Sequence, residues 1–268
     1  MLHDELENLD CNQILSTLKE DGAIQLKNFL SKELVASFLN DFELPTTQNL
    51  NNNNSGLIYY NNQKFISQTL VHSKNNFDFL SSDKLQNIFE SLLGSCTLKS
   101  SRFYQTGGGG ISMWHHDEKN SGYSSSGLIL LIYLSDVLSI ENGPFEYIKG
   151  THKMSHEMQD EDFWVKNINK NHSQNIVSCF GKSGTIIIAD SRIVHRAMPH
   201  KGNYYRTSLF TQISKLEDNT YREKILLNPA YLDDEVLASK RLKNFLGLGM
   251  SNTNHIFPES NIDHLPLN

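Results

Sequence analysis

His115 and Asp117 stand two residues apart in the segment Trp114-His115-His116-Asp117, and another histidine, His195, lies far downstream. In an extended segment residues i and i+2 share a face, so the imidazole of His115 and the carboxylate of Asp117 point the same way. A second imidazole brought in from a distant strand completes two histidines and one carboxylate. That facial set holds iron(II) in non-heme oxygenases and leaves coordination positions open for reactants. His116 points to the opposite face of a regular strand, which makes His115 the better ligand.

The chain has 11 histidines, so His195 has rivals. His152, His156 and His172 fall in turn-like or polar stretches and read as surface histidines, and His200, after Pro199, reads as a strand end. His195 instead closes Arg192-Ile193-Val194-His195, directly after the apolar run Thr185–Ala189. A little further on, Arg206 and Ser208 share one strand face by the same period of two. A guanidinium fork takes a carboxylate through two parallel hydrogen bonds, and a neighbouring hydroxyl can add a third. Beside an iron site, that pair suits the far carboxylate of 2-oxoglutarate. Arg102, Tyr104 and Tyr133, on earlier strands, are further candidates for inward contacts.

These residues need strands to carry them, and from residue 97 the sequence supplies short β-like runs separated by turns. They are Leu98–Gln105, Ile111–Asp117, Leu128–Ser135, Phe145–Ile148, Asn175–Phe180, Thr185–Ala189, Ile193–Met198 and Tyr204–Ile213. Eight such runs predict a mainly β fold with flanking helices, a double-stranded β-helix (jelly roll, cupin-like) over 97–215. Residues 12–94 read as mixed and mostly helical. One helix is capped by Ser31 and runs through Leu34, Phe38 and Leu39. Another carries Leu85, Ile88, Phe89, Leu92 and Leu93, begins at Ser81 or Ser82 and ends at Gly94. Between them Thr46–Gly56 is asparagine-rich and reads as a loop, as does the helical or loop excursion Glu157–Lys170. Residues 220–268 read as a C-terminal helical extension whose helix Leu232–Leu246 ends at Gly247 outside the barrel. The whole chain, 1–268, is expected to form one domain.

Two glycine motifs carry no nucleotide site. Gly181-Lys182-Ser183 lacks the earlier P-loop glycine, since Ile176 stands there, and strands flank it. Gly107–Gly110 lacks a strand–turn–helix setting. Asn142-Gly143-Pro144 reads as a sharp structural turn without chemistry.

Composition excludes whole classes of partner. A net charge of −6 gives no electrostatic case for nucleic acid or an anionic membrane, so a small-molecule substrate is expected. The longest apolar run, Leu128–Leu134, is far shorter than the roughly 20 residues a membrane span needs. Cys11, Cys96 and Cys179 are odd in number and widely spaced, which reads as reduced thiols in a cytoplasmic protein. The acidic opening MLHDELENLD has no apolar signal core. No feature of the sequence specifies an oligomeric state.

Four segments together resemble the phytanoyl-CoA dioxygenase family over roughly residues 98–215. They are Met113-Trp114-His115-His116-Asp117; Asp136-Val137 with Glu141-Asn142-Gly143-Pro144; Ile148-Lys149-Gly150-Thr151-His152-Lys153; and Gly184 with Asp190-Ser191-Arg192, His195 and Arg206. The resemblance implies a double-stranded β-helix, iron(II) on His115, Asp117 and His195, 2-oxoglutarate anchored by Arg206 with Ser208, and O2 as the oxidant. It further implies release of succinate and CO2 with hydroxylation of an unactivated C–H bond of a small metabolite or natural-product intermediate. Halogenating relatives replace the carboxylate by Ala or Gly, whereas Asp117 is present here. The competing classes are a cupin-type metal protein that does not use 2-oxoglutarate and a non-catalytic binding module. Cupin sites commonly gather three histidines with a glutamate, unlike the set in this chain.

Overall fold

The computed structural model describes Leu6 and residues 9–47, 57–60, 63–109, 113–117, 127–154, 172–216 and 225–248. Asp10 caps helix α1 (Cys11–Asp21) by accepting from Gln13 N at 3.0 Å, and Gly22, at φ +85°, turns the chain into strand β1 (Ala23–Leu26). Ser31 Oγ accepts from Leu34 N at 3.1 Å and starts α2 (Lys32–Thr47), as its position predicts. A hairpin, β2 (Leu57–Tyr60) and β3 (Gln63–Ile66), precedes three helices: α3 (Thr69–His72), α4 (Lys74–Ser81) and α5 (Asp83–Leu93). Helix α5 buries Leu85, Ile88, Phe89 and Leu93 along the stripe the spacing predicts, and Gly94 ends it. The strands β4 (Cys96–Thr106), β5 (Gly127–Tyr133), β6 (Phe145–Ile148), β7 (Ile176–Cys179), β8 (Ile186–Asp190), β9 (His195–Ala197) and β10 (Arg206–Lys215) follow. Two short helices, α6 (Asp234–Ala238) and α7 (Lys240–Leu246), complete the described chain.

The strands form two antiparallel sheets, the arrangement expected of a double-stranded β-helix. The larger has the order β1-β8-β5-β10-β4-β3-β2 and the smaller β7-β6-β9. Strand β5 shows what each face does, because all seven of its residues are buried. Leu128, Leu130 and Ile132 join the core under the helices, together with Ile14, Phe38 and Phe89, while Ile129, Leu131 and Tyr133 pack toward the smaller sheet. Strand β8 divides likewise: Ile186 and Ile188 on one side, Ile187 and Ala189 on the other. A strand covered on both faces reads as a continuous apolar run, as Leu128–Leu134 does.

A bulge sets the face of β4. Gln212 pairs with Ser100 but Ile213 pairs with Leu98, so Lys99 is the extra residue. The inserted residue lets Leu98 enter the helix-side core while Ser100, Arg102, Tyr104 and Thr106 keep to the other face.

Three sequence expectations change. Residues 12–94 contribute three strands, β1, β2 and β3, to the larger sheet as well as helices, because they cover both of its edges. The strand expected over 111–117 is a single bridge at His115 followed by a turn at Asp117 within the described residues 113–117, since its partner β9 is only three residues long. The helix expected over 232–246 is two, because Ser239 adopts extended backbone and caps α7 by accepting from Leu242 N at 3.2 Å. Residues 48–56 of the asparagine-rich loop, His156 and the excursion 157–170 lie outside the described residues. Among the described residues, no helix is long and apolar enough to cross a membrane.

Candidate metal centre

His115 and His195 face each other across a narrow antiparallel bridge. His115 N donates to His195 O at 2.9 Å and His195 N to His115 O at 2.8 Å, which sets the ring centroids 4.3 Å apart. Two residues on, Asp117 N donates to Ser191 O at 3.2 Å, and the turn this makes swings the carboxylate beneath both imidazoles. Asp117 Oδ1 lies 3.5 Å from His115 Nε2 and 3.7 Å from His195 Nε2. Those separations are long for direct hydrogen bonds. The three side chains each offer one ligand atom, and these atoms lie within 4.8 Å of one another.

The surroundings fix each donor. Nδ1 of His115 is 2.6 Å from Met113 O, and Nδ1 of His195 is 3.0 Å from Ile193 O. A carbonyl only accepts, so each Nδ1 carries a proton, which leaves Nε2, on the side of Asp117, as the ring atom that can bind a metal. Phe145 stacks on the His195 ring at 5.2 Å. Burial pushes the His195 imidazole down to about 4, against the pull of Asp117. Burial also opposes ionisation of Asp117, but the two imidazoles and Gln212 outweigh it and hold the carboxyl well below the usual carboxylate range. Two neutral imidazoles and one carboxylate are the protonation states that a divalent ion requires of its ligands. The residues therefore fit a 2-His-1-carboxylate metal.

Arg206, Ser208, Phe210 and Gln212 project from one face of β10 into the same cavity, of about 230 Å³. Opposite them stand Arg102, Tyr104 and Thr106 of β4, and Leu131, Tyr133, Phe145 and the three candidate ligands complete the wall with Ala197. Arg206 is only 7% exposed. Its guanidinium donates to Gly143 O and, at 3.4 Å, to Thr106 Oγ1. Both acceptors are neutral, and no carboxylate pairs with Arg206 among the described residues. Burial lowers its pKa, and the nearby Tyr133 hydroxyl raises it. A buried guanidinium without a counter-ion is costly, so this end of the cavity calls for an anion.

The expected residues His115, Asp117, His195, Arg206 and Ser208 thus meet at one cavity, with Arg102, Tyr104 and Tyr133 on its wall. His116 is buried away from it. The Tyr133 hydroxyl is committed to the fold: it donates to Cys179 O at 3.0 Å and accepts from Phe145 N at 2.9 Å. One expectation needs correction. His152 is buried rather than superficial, folded back against Gly22, and His200, expected at a strand end, lies beyond the end of β9 at Ala197, buried and edge-on to Tyr204 at 5.0 Å. The turn at Gly143 is the sharp turn expected, with Gly143 at φ +66°, and its carbonyl accepts from Arg206. Sequence reasoning also missed Gln212, whose Nε2 donates to Asp117 Oδ2 at 2.7 Å while its Oε1 accepts from Ser100 Oγ at 2.8 Å. The parity of β10 would have placed it, since 206, 208, 210 and 212 alternate onto one face.

Comparison with known proteins agrees with this geometry. The sequence profile of the phytanoyl-CoA dioxygenase family matches residues 18–208. No curated protein matches the chain by sequence. Among solved structures, the non-heme alpha-ketoglutarate-dependent carbocyclase SnoK of nogalamycin biosynthesis is similar, with TM-score 0.65, 17% identity, and coverage of 84% of this chain and 90% of that one. The epimerase SnoN of the same biosynthesis gives TM-score 0.63 at 15% identity, covering 77% and 83% respectively. HygX from Streptomyces hygroscopicus, solved with nickel and 2-oxoglutarate, gives 0.62 at 14% identity, covering 79% and 89%. At these identities the likeness is one of fold.

Proposed function

The chain belongs to the phytanoyl-CoA dioxygenase family, and on that premise we propose that it is an iron(II)- and 2-oxoglutarate-dependent oxygenase that hydroxylates an unactivated C–H bond of a small metabolite or natural-product intermediate. The observation that carries this reading is the pairing, in one cavity, of the His115–Asp117–His195 cluster with a buried Arg206 that no carboxylate neutralises among the described residues. A buried guanidinium there calls for an anion, and 2-oxoglutarate supplies one in its far carboxylate. HygX binds nickel and 2-oxoglutarate on the same fold.

In this reading His115, Asp117 and His195 hold the iron, and Arg206 with Ser208 holds the far carboxylate of 2-oxoglutarate. When bound, iron and cosubstrate together supply activation of O2, coupled to oxidative decarboxylation of 2-oxoglutarate to succinate. The protein's own share is positional. The Met113 and Ile193 carbonyls hold the proton of each imidazole on Nδ1, so neither ring has to lose a proton from Nε2 to bind. Gln212 fixes the rotation of the Asp117 carboxylate. Leu131, Phe145 and Phe210 line the cavity with apolar surface and keep water from the reacting centre. SnoN is an epimerase and SnoK a carbocyclase; hydroxylation is the outcome this reading takes for the present chain.

Anaerobic titration with iron(II) and then 2-oxoglutarate tests the reading directly. A weak metal-to-ligand charge-transfer band should grow in the visible and saturate with 2-oxoglutarate. Its absence at saturating reagents would overturn the assignment.

A further inference from the structure

One residue away from the metal ligands, a row of side chains crosses the outer face of the smaller sheet. His115 and His195 form an antiparallel bridge, so Trp114 stands opposite Arg196. Arg196 pairs in register with Glu146 of β6, and Glu146 with Ser178 of β7. Successive residues alternate across a strand, so these four turn away from the cavity that the ligands face, and none of them lines it. The contacts along the row are close. The guanidinium carbon of Arg196 lies 4.3 Å from the centre of the Trp114 ring. Arg196 Nε donates to Glu146 Oε2 at 2.8 Å, and Nη2 lies 2.7 Å from the same oxygen. The other carboxylate oxygen accepts from Ser178 Oγ at 2.6 Å. Trp114 and Glu146 are buried, and Val194 and Ile148 pack with the indole. Attraction between a cation and an indole face strengthens as the cation leaves water, and the carboxylate fixes the plane of the guanidinium.

We infer that Arg196, braced by Glu146, is a positioning residue for the metal centre: it holds Trp114, and with it the backbone of His115, against β9. The inference rests on the proposed ligand set. The two imidazoles come from separate segments, joined at the ligands by the two hydrogen bonds of a single bridge. On its C-terminal side the His115 segment is tied down by Asp117 N, which donates to Ser191 O. On its N-terminal side Met113 is half exposed, so among the described residues Trp114 is the anchor there. Releasing that anchor frees His115 to move relative to His195, and a metal needs both rings at once.

The test uses the full chain. Arg196→Met keeps an apolar stem and removes the cation. It also leaves Glu146 buried without a cation, so Glu146→Gln/Arg196→Met is made beside it; the amide oxygen still accepts from Ser178 and no charge is stranded. Iron(II) affinity is read anaerobically by competition with a chromogenic chelator. Affinity for 2-oxoglutarate is read from the charge-transfer band at saturating iron(II). Both variants should bind iron(II) about tenfold more weakly than the parent, the lower end of the cost of losing an outer support of a metal ligand. Half-saturation with 2-oxoglutarate should stay within about twofold, because Arg206 is held by Gly143 and Thr106, outside the row. Arg196→Lys, which keeps a cation, should recover part of the iron affinity. Parent-like iron affinity in Arg196→Met overturns the inference, as does Arg196→Lys faring no better than Arg196→Met. Recovery in the double variant overturns it too, by tracing the loss to the stranded carboxylate. An equal loss of 2-oxoglutarate affinity overturns it by showing a general loosening of the fold. A parent that binds no iron(II) overturns the ligand set itself before any variant is made, whereas one that binds iron(II) without giving the band overturns only the use of 2-oxoglutarate.

Discussion

Gln212 Nε2 donates to Asp117 Oδ2 at 2.7 Å, so the carboxylate turns Oδ1 toward both imidazoles. An ionised carboxylate only accepts, so the amide nitrogen faces Asp117 and the amide oxygen accepts from Ser100 Oγ at 2.8 Å. The chain Ser100–Gln212–Asp117 holds the carboxylate at one rotation. Gln212→Leu keeps much of the volume and removes both bonds. Iron(II) affinity should fall by about 10- to 100-fold, the usual cost of deleting an outer hydrogen-bond partner of a metal ligand. Anaerobic iron titration checks it; parent-like affinity would reduce Gln212 to a packing residue.

Asp117 is the only carboxylate in the candidate ligand set. Asp117→Ala should abolish succinate formation and leave the fold standing, because it removes one buried carboxylate from a site where burial already favours the neutral form of His195. Near-ultraviolet circular dichroism reports the fold and succinate the turnover. Undiminished turnover would mean that the set has been chosen wrongly. In the parent, a chelator should remove activity, and iron(II) added back under reducing conditions should restore it.

Much of this site was legible because strand geometry is local. A period of two put His115 with Asp117 and Arg206 with Ser208, and the same rule extends to Gln212. Arg102 and Tyr104 also follow it, as the sequence suggested. What was not legible depends on contacts between distant segments. Nothing in Asn142-Gly143-Pro144 says that a carbonyl there will meet a guanidinium from β10. Likewise His152 looks superficial until the turn carrying it folds against α1. The edges of the larger sheet were missed for a similar reason: β1, β2 and β3 are four residues each, too short for alternation to stand out from the helices around them.

The three cysteines differ in reach. Cys96 and Cys179 are buried and Cys11 only partly so. Burial pushes the thiols of Cys96 and Cys179 up to about 12. A raised pKa means the fold holds the proton longer than the unfolded chain does. These groups therefore contribute nothing to the pH dependence of stability below about pH 9, and they weaken the fold as pH rises toward 12. At pH 8 a thiol reagent should label Cys11 rapidly in the native protein, and Cys96 and Cys179 only after denaturant is added. Rapid labelling of all three in the native state would contradict the burial of the latter two.

Arg206 and Gly143 give the most discriminating pair of substitutions. Arg206→Ala should weaken the apparent affinity for 2-oxoglutarate by at least about 30-fold, as loss of a buried charge-assisted fork does, while iron(II) binding changes little. Gly143 acts on the same guanidinium from behind. It sits at φ +66°, and a Cβ there would stand 2.7 Å from Met198 O and 3.0 Å from Arg206 Nη1. Gly143→Ala should therefore displace Arg206 as well as strain the turn. Gly150 is the control, since it has a similar φ of +78° but open space where the Cβ would go. Both alanine variants should lose about 1–2 kcal/mol from the left-handed backbone alone. Only Gly143→Ala should also raise the 2-oxoglutarate concentration needed for half-maximal charge-transfer absorbance, by about tenfold. Equal cosubstrate affinity in the two variants would show that the Gly143 carbonyl does not hold Arg206 in its working position.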